Sequence, residues 1–154
     1  MITKKLNIYL DFDGTVVEHQ FPKMGRCNFG CFEVIKKLQL AGHKIILNTV
    51  RPDISLHSLQ EALNLINHSH WRLIKDHSQR NEFRLEPISQ YASSKIGPYP
   101  LDFPLAEQTG ELFIDDNSTN TPLKPAVMTG GNIVDWDKLD ILFTLHGLYK
   151  NDLL

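Results

Sequence analysis

Cysteine is scarce in this chain: only Cys27 and Cys31 occur among 154 residues. Two thiols four residues apart are too few to build a structural zinc site. They also lack the two-residue gap of a redox pair, so ordinary free thiols are expected and a disulfide is not required. Long apolar runs are missing as well. No stretch approaches the roughly 18 apolar residues of a membrane-spanning helix, and Asp11 and Asp13 interrupt the N-terminal apolar run before it can act as a signal segment. A cytoplasmic protein without membrane attachment is the expectation. Nor does charge of one sign dominate. Sixteen Lys and Arg face eighteen Asp and Glu, with no basic block. That argues against a mainly electrostatic nucleic-acid binder, which must neutralise many phosphates, although a few cations suffice to grip one phosphate end.

What is present fits one globular domain spanning 1–154. A chain of this length buries roughly 70% of the surface that its unfolded form exposes. Residues 6–10 (LNIYL) read as a buried, central strand, and 43–48 (HKIILN) as a second one. Between them, Phe32, Val34, Ile35 and Leu38 define the apolar side of a helix over 30–40, stopped at Ala41-Gly42. Strand, helix and strand in fifty residues make a βαβ unit, the building block of a parallel sheet. Residues 17–28, with Pro22 and Gly25, read as a short flap.

Further along, Leu56, Leu59, Ala62, Leu63 and Ile66 predict a helix over 55–66. Residues 71–74 are either a strand or that helix's tail. Pro87 suits the first turn of a short helix over 88–93. The proline- and glycine-rich stretch 95–110 reads as loop, 111–114 (ELFI) as a third strand, and 126–128 as a candidate fourth. Asp135 can cap a last helix whose buried side holds Trp136, Leu139, Leu142 and Phe143. No internal repeat or linker is seen.

The most informative segment is Asp11-Phe12-Asp13-Gly14-Thr15. Side chains two apart on extended chain share a side, so Asp11 and Asp13 can address one site while Phe12 turns away. Gly14 permits a tight departure. Asp115-Asp116 ends the third strand in the same manner. Ligands of open α/β sheets gather at the carboxyl ends of strands. Acidic turns also serve merely as helix caps. Two acidic strand ends, together with a strand ending in Thr49, favour convergence instead. Three or four carboxylates crowded together are costly unless a hard divalent cation joins them, and magnesium suits such oxygen donors.

These motifs, Leu10-Asp11-Phe12-Asp13-Gly14-Thr15-Val16, Ile45-Ile46-Leu47-Asn48-Thr49 and Leu112-Phe113-Ile114-Asp115-Asp116, follow one another in an order that resembles the haloacid-dehalogenase-like hydrolase superfamily, specifically its aspartate-dependent phosphatases. The resemblance spans about residues 5–116. It implies a Rossmann-like three-layer sandwich with a mainly parallel central sheet. It also implies an aspartyl-phosphate mechanism: Asp11 attacks phosphorus, Asp13 is the general acid and base, and Thr49 donates to a phosphoryl oxygen. A lysine neutralises charge; Lys95 fits the family spacing and Lys75 is its rival. Mg2+ is expected on Asp11, the backbone carbonyl of Asp13 and Asp115, with Asp116 binding through water or orienting the others. Asp13 favours phosphate esters over halides, because an alkoxide needs a proton on leaving and a halide does not.

The spacings leave room for a flap but no cap domain, so a phosphorylated substrate of unknown identity would meet a fairly open site. Phe21, Met24, Arg26, Asn117, Asn120 and Lys124 are candidates for its mouth, with Arg51 a further candidate for the pocket. His68 and His70 do not make a convincing metal site. Phosphoryl transfer to another acceptor and a noncatalytic phosphate- or metal-binding module are the alternatives, and a homo-oligomer stays open.

Overall fold

A computed structural model describes residues 1–21, 23, 25–49, 92–93, 97 and 99–150. The helix predicted over 55–66, the segment 71–74, and Met24, Arg51, His68, His70, Lys75 and Lys95 lie outside these residues.

The described fold is α/β. Strand β1 (Asn7–Leu10) lies between β2 (Lys44–Asn48) and β4 (Glu111–Ile114), with β3 (Ala92–Ser93) outside β2, and every pairing is parallel. Helix α1 (Cys31–Leu40) connects β1 to β2, as its periodicity requires. It buries Cys31, Val34, Ile35 and Leu38. Leu38 and Ile35 join Ile8, Leu10, Leu47, Leu112 and Ile114 in the core. Each such side chain removed from water contributes about 1.5–3 kcal/mol, and this sum offsets the entropy of ordering the chain. Both cysteines are free thiols, Cys27 exposed and Cys31 buried.

Three expectations change after β2. Ala92 and Ser93 form a strand against Leu47 and Asn48, not the end of a helix. Ala-Ser carries little strand propensity, so the pairing owes more to the open edge of β2 than to local preference. The stretch read as loop contains helix α2 (Phe103–Thr109). Asp102 caps it, accepting from the Leu105 amide at 2.9 Å, and Gly110 ends it at φ 77°. Pro104 lies in the first turn, where its missing N–H costs nothing, so it starts the helix instead of breaking it.

A second, antiparallel pair is formed by β5 (Leu123–Pro125) and β6 (Asn132–Val134). The fourth strand expected at 126–128 is therefore displaced toward the N-terminus, since Gly130 and Gly131, both at φ 72°, belong to the connection between the two strands. Helix α3 (Trp136–Leu145) follows, capped by Asp135 through the Lys138 amide at 3.1 Å. Trp136, Leu139 and Phe143 are fully buried, and Leu142 packs beside them. Lys37 of α1 bonds both carboxylate oxygens of Asp140 on α3 at 3.1 Å, pinning the two helices together.

The flap is seated at its base. Val17 bridges Cys27, and the Glu18 amide donates to the Arg26 carbonyl at 2.8 Å. The Asn28 amide group donates to the carbonyls of Thr15 (2.9 Å) and Val134 (2.7 Å), and the Trp136 indole donates to Thr15 as well (2.8 Å). The carboxylate of Glu18, a residue 2% exposed, accepts from the Met128 amide at 2.9 Å. These bonds tie the flap to β6, α3 and the turn after β5. Among the described residues, no helix is long and apolar enough to cross a membrane.

Candidate functional site

Strand register builds the site. Leu10 pairs with Ile114, and the ladder continues one step as the Asp11 amide donates to the Ile114 carbonyl at 2.9 Å. Asp11 thus emerges from β1 beside Asp115 from β4. Asp116 follows, and one oxygen from each of Asp11, Asp115 and Asp116 lies within 4.8 Å of the others. The expected convergence of carboxylates from separate strands is present. The carboxylate of Asp13 is not one of these three; Asp13 is partly buried two residues further on, where the chain bridges to Val17. Thr49 is buried one residue past the end of β2, itself the neighbour of β1.

The backbone turns sharply after Asp11. The Phe12 carbonyl receives the amides of Thr15 (3.2 Å), Val16 (2.9 Å) and Val17 (3.2 Å). Gly14 adopts φ 83°, a left-handed conformation that favours glycine. A Cβ there would also lie 2.2 Å from His19 Nε2 and 2.5 Å from Asp116 Oδ2.

Three carboxylates in one small volume repel one another. Burial above all, then the charge of Asp115 and the contact with and charge of Asp116, push the Asp11 carboxyl up to about 9, against a partial counterweight from the Phe12 backbone. Asp115 is also raised, chiefly by burial, although the Asn117 amide bonds its Oδ1 at 2.9 Å and opposes the shift. The Thr15 hydroxyl donates to Asp11 Oδ2 at 3.1 Å. The Asp116 side chain is 7% exposed; its Oδ2 lies 2.9 Å from His19 Nε2, within hydrogen-bond reach, while its buried Oδ1 has no hydrogen-bond donor.

The donor set is all oxygen and acidic, and one oxygen, Asp116 Oδ1, is orphaned. A hard divalent cation would satisfy these features together. Such an ion would hold Asp11 ionised near neutral pH.

Sequence reasoning assigned no role to Thr15, although its hydroxyl four residues after Asp11 in a glycine turn was a readable signal. It missed His19 entirely, because nothing local links a flap histidine to an aspartate 97 residues away. Of the proposed mouth residues, Phe21, Arg26, Asn117 and Asn120 are exposed and Lys124 is partly buried. Asn120 adopts φ 71°, and the Lys124 ammonium lies 6.0 Å from the Phe29 ring centre. No family model, no curated protein and no solved structure matches the chain.

Proposed function

We propose that the chain is a magnesium-dependent phosphatase that hydrolyses a phosphate monoester through an aspartyl-phosphate on Asp11. The observation that supports this reading is the register of β1 on β4, which sets Asp11 beside Asp115 and Asp116 in a partly buried cluster with one orphaned oxygen, Asp116 Oδ1. Asp11, Asp115 and Asp116 would hold the ion, and the Asp13 carbonyl is the remaining candidate. When bound, Mg2+ offsets carboxylate charge and polarises the phosphoryl group.

In the first step an Asp11 oxygen forms a bond to phosphorus as the ester P–O bond breaks. Asp13, as general acid, gives a proton to the departing alkoxide. In the second step Asp13 takes a proton from water, the water oxygen bonds to phosphorus, and the Asp11 carboxylate and inorganic phosphate are released. Thr49 would orient a phosphoryl oxygen, and a lysine, Lys95 or Lys75, would neutralise charge. Positioning and charge stabilisation supply most of such a rate enhancement. We place this chemistry on a Rossmann-like three-layer sandwich with little or no cap, reached by a phosphorylated substrate directly from solvent.

The test is a phosphate-release screen over sugar phosphates, nucleotides, other phosphorylated metabolites and nucleic-acid ends, run with Mg2+ and after exhaustive chelation. Turnover should need Mg2+ and vanish in Asp11→Asn. Undiminished release from either the chelated enzyme or the pure variant would reject the mechanism. Phosphoryl transfer to an added alcohol without free phosphate would convert the reading to a phosphotransferase.

A further inference from the structure

We infer that His19 is a positioning residue for the cation site, fixing the Asp116 carboxylate so that one of its oxygens stays available to the ion. The inference rests on the cation-binding reading of Asp11, Asp115 and Asp116 and adds to it a residue from outside the motifs.

An ionised carboxylate, the form that binds a cation, only accepts hydrogen bonds, so across the 2.9 Å contact His19 Nε2 donates to Asp116 Oδ2 in that form. The two oxygens of an aspartate are chemically alike until something distinguishes them, and here His19 does. With Oδ2 taken, Oδ1 is left buried and without a donor in a side chain only 7% exposed. Buried carboxylate oxygens seldom go unpaired, because desolvation is then uncompensated. The cation is the partner that would complete it.

The contact is also fitted sterically. The His19–Asp116 pair lies against the bare face of Gly14, where a Cβ would come within 2.2 Å of Nε2 and 2.5 Å of Oδ2. The bare glycine therefore serves the imidazole as well as the turn. His19 arrives by way of the flap, whose base is held by the Glu18–Arg26 backbone bond and the buried Glu18 carboxylate. The flap thereby reaches the metal ligands from outside, through a side chain that is itself 49% exposed. Hydrogen-bond partners of metal ligands typically influence affinity 10- to 100-fold.

The experiment measures Mn2+ binding to the full chain by electron paramagnetic resonance, without substrate, for wild type, His19→Leu and His19→Gln. Leucine keeps much of the bulk and removes the donor; the glutamine amide can still donate to Asp116. His19→Leu should weaken Mn2+ binding about 10- to 100-fold and His19→Gln should stay within about threefold of wild type. The metal-free melting temperature of His19→Gln should match wild type, and His19→Leu, which leaves Asp116 Oδ2 without its donor, should fold with a lower one. Equal Mn2+ affinity in wild type and His19→Leu would overturn the role of His19 alone. So would equal weakening in both variants, or a His19→Leu chain that fails to fold without metal, which would make the residue structural. Wild type that binds no Mn2+ would instead remove the cation reading itself, and this inference with it.

Discussion

The two ends of the parallel sheet treat buried polarity in opposite ways. At the amino ends, His43 precedes β2 and is 5% exposed. Its Nδ1 accepts from the Leu6 amide at 3.0 Å and its Nε2 donates to the Leu148 carbonyl at 2.7 Å. Both ring nitrogens are satisfied by one neutral tautomer, so the imidazole ties the start of β1 to the chain after α3 at little electrostatic cost. At the carboxyl ends, Asp11, Asp115 and Asp116 crowd together as three acids, and Asp116 Oδ1 lacks a donor. One cluster is complete within the chain. The other leaves a buried carboxylate oxygen without a donor, which is what the proposed cation would supply.

Substitution should separate the two ends by sign. The largest effect expected is Asp11→Asn on phosphate release, a loss of about 10⁴-fold or more if the carboxylate is the nucleophile. The same change should stabilise the metal-free protein. Asp11 rises from an ordinary 3.8 to about 9 on folding, so the stability tied to its proton is present below 3.8 and is lost as pH climbs through 9. Denaturant midpoints without metal should favour Asp11→Asn over wild type far more at pH 8 than at pH 4. Equal midpoints at pH 8 would show that the carboxyl end is not under electrostatic load.

His43→Leu should do the reverse, costing about 3 kcal/mol because it orphans the buried Leu6 N–H and Leu148 carbonyl. Burial lowers the His43 pKa below 6.5, opposed in part by its bond to Leu148. As pH falls from 6.5 toward that lower value, the unfolded chain takes up a proton that the folded imidazole refuses, and stability declines. The difference between wild-type and His43→Leu unfolding free energies should shrink over this window and hold constant above it. A constant difference throughout would contradict the neutral tautomer.

Saturation with Mg2+ at 100 times its dissociation constant should stabilise wild type by about 2.7 kcal/mol. Asp11→Asn should gain less, and His43→Leu should keep the full increment, since it leaves the ligands in place. Equal increments in wild type and Asp11→Asn by calorimetry would remove Asp11 from the ion's coordination. The smallest effect belongs to neither end. Asp102→Ala, which deletes the cap of α2, should cost about 1 kcal/mol and lower the melting temperature by about 2–4 °C.

The acidic end was legible from sequence because its information is local: a short apolar strand followed at once by Asp11, and another followed by Asp115-Asp116. The same holds for α1 and α3, where apolar spacing and a cap lie within a dozen residues. Helix α2 is hidden by Pro104, which in a proline- and glycine-rich stretch reads as a breaker, although Asp102 two residues earlier caps the turn. The β3 strand had no local signal, being defined by what β2 offers at its edge. Glycine pairs mark turns clearly but do not say which flanking residues pair, so β5 was displaced. His19 and the His43 clip depend on contacts about a hundred residues apart, which no periodicity encodes.

The sandwiching of β1 between β2 and β4 also has a consequence for how the molecule is made. Tyr9 and Glu111, hydrogen-bonded at 2.8 Å across β1 and β4, are 102 residues apart. At about 5–20 residues per second, a ribosome completes β1 and β2 several seconds before β4 emerges. Throughout that interval the innermost strand has one unpaired edge, and edges of this kind recruit foreign strands. A nascent chain stalled before residue 111 should therefore be held by chaperones, and release from them should coincide with the arrival of the segment that carries Asp115.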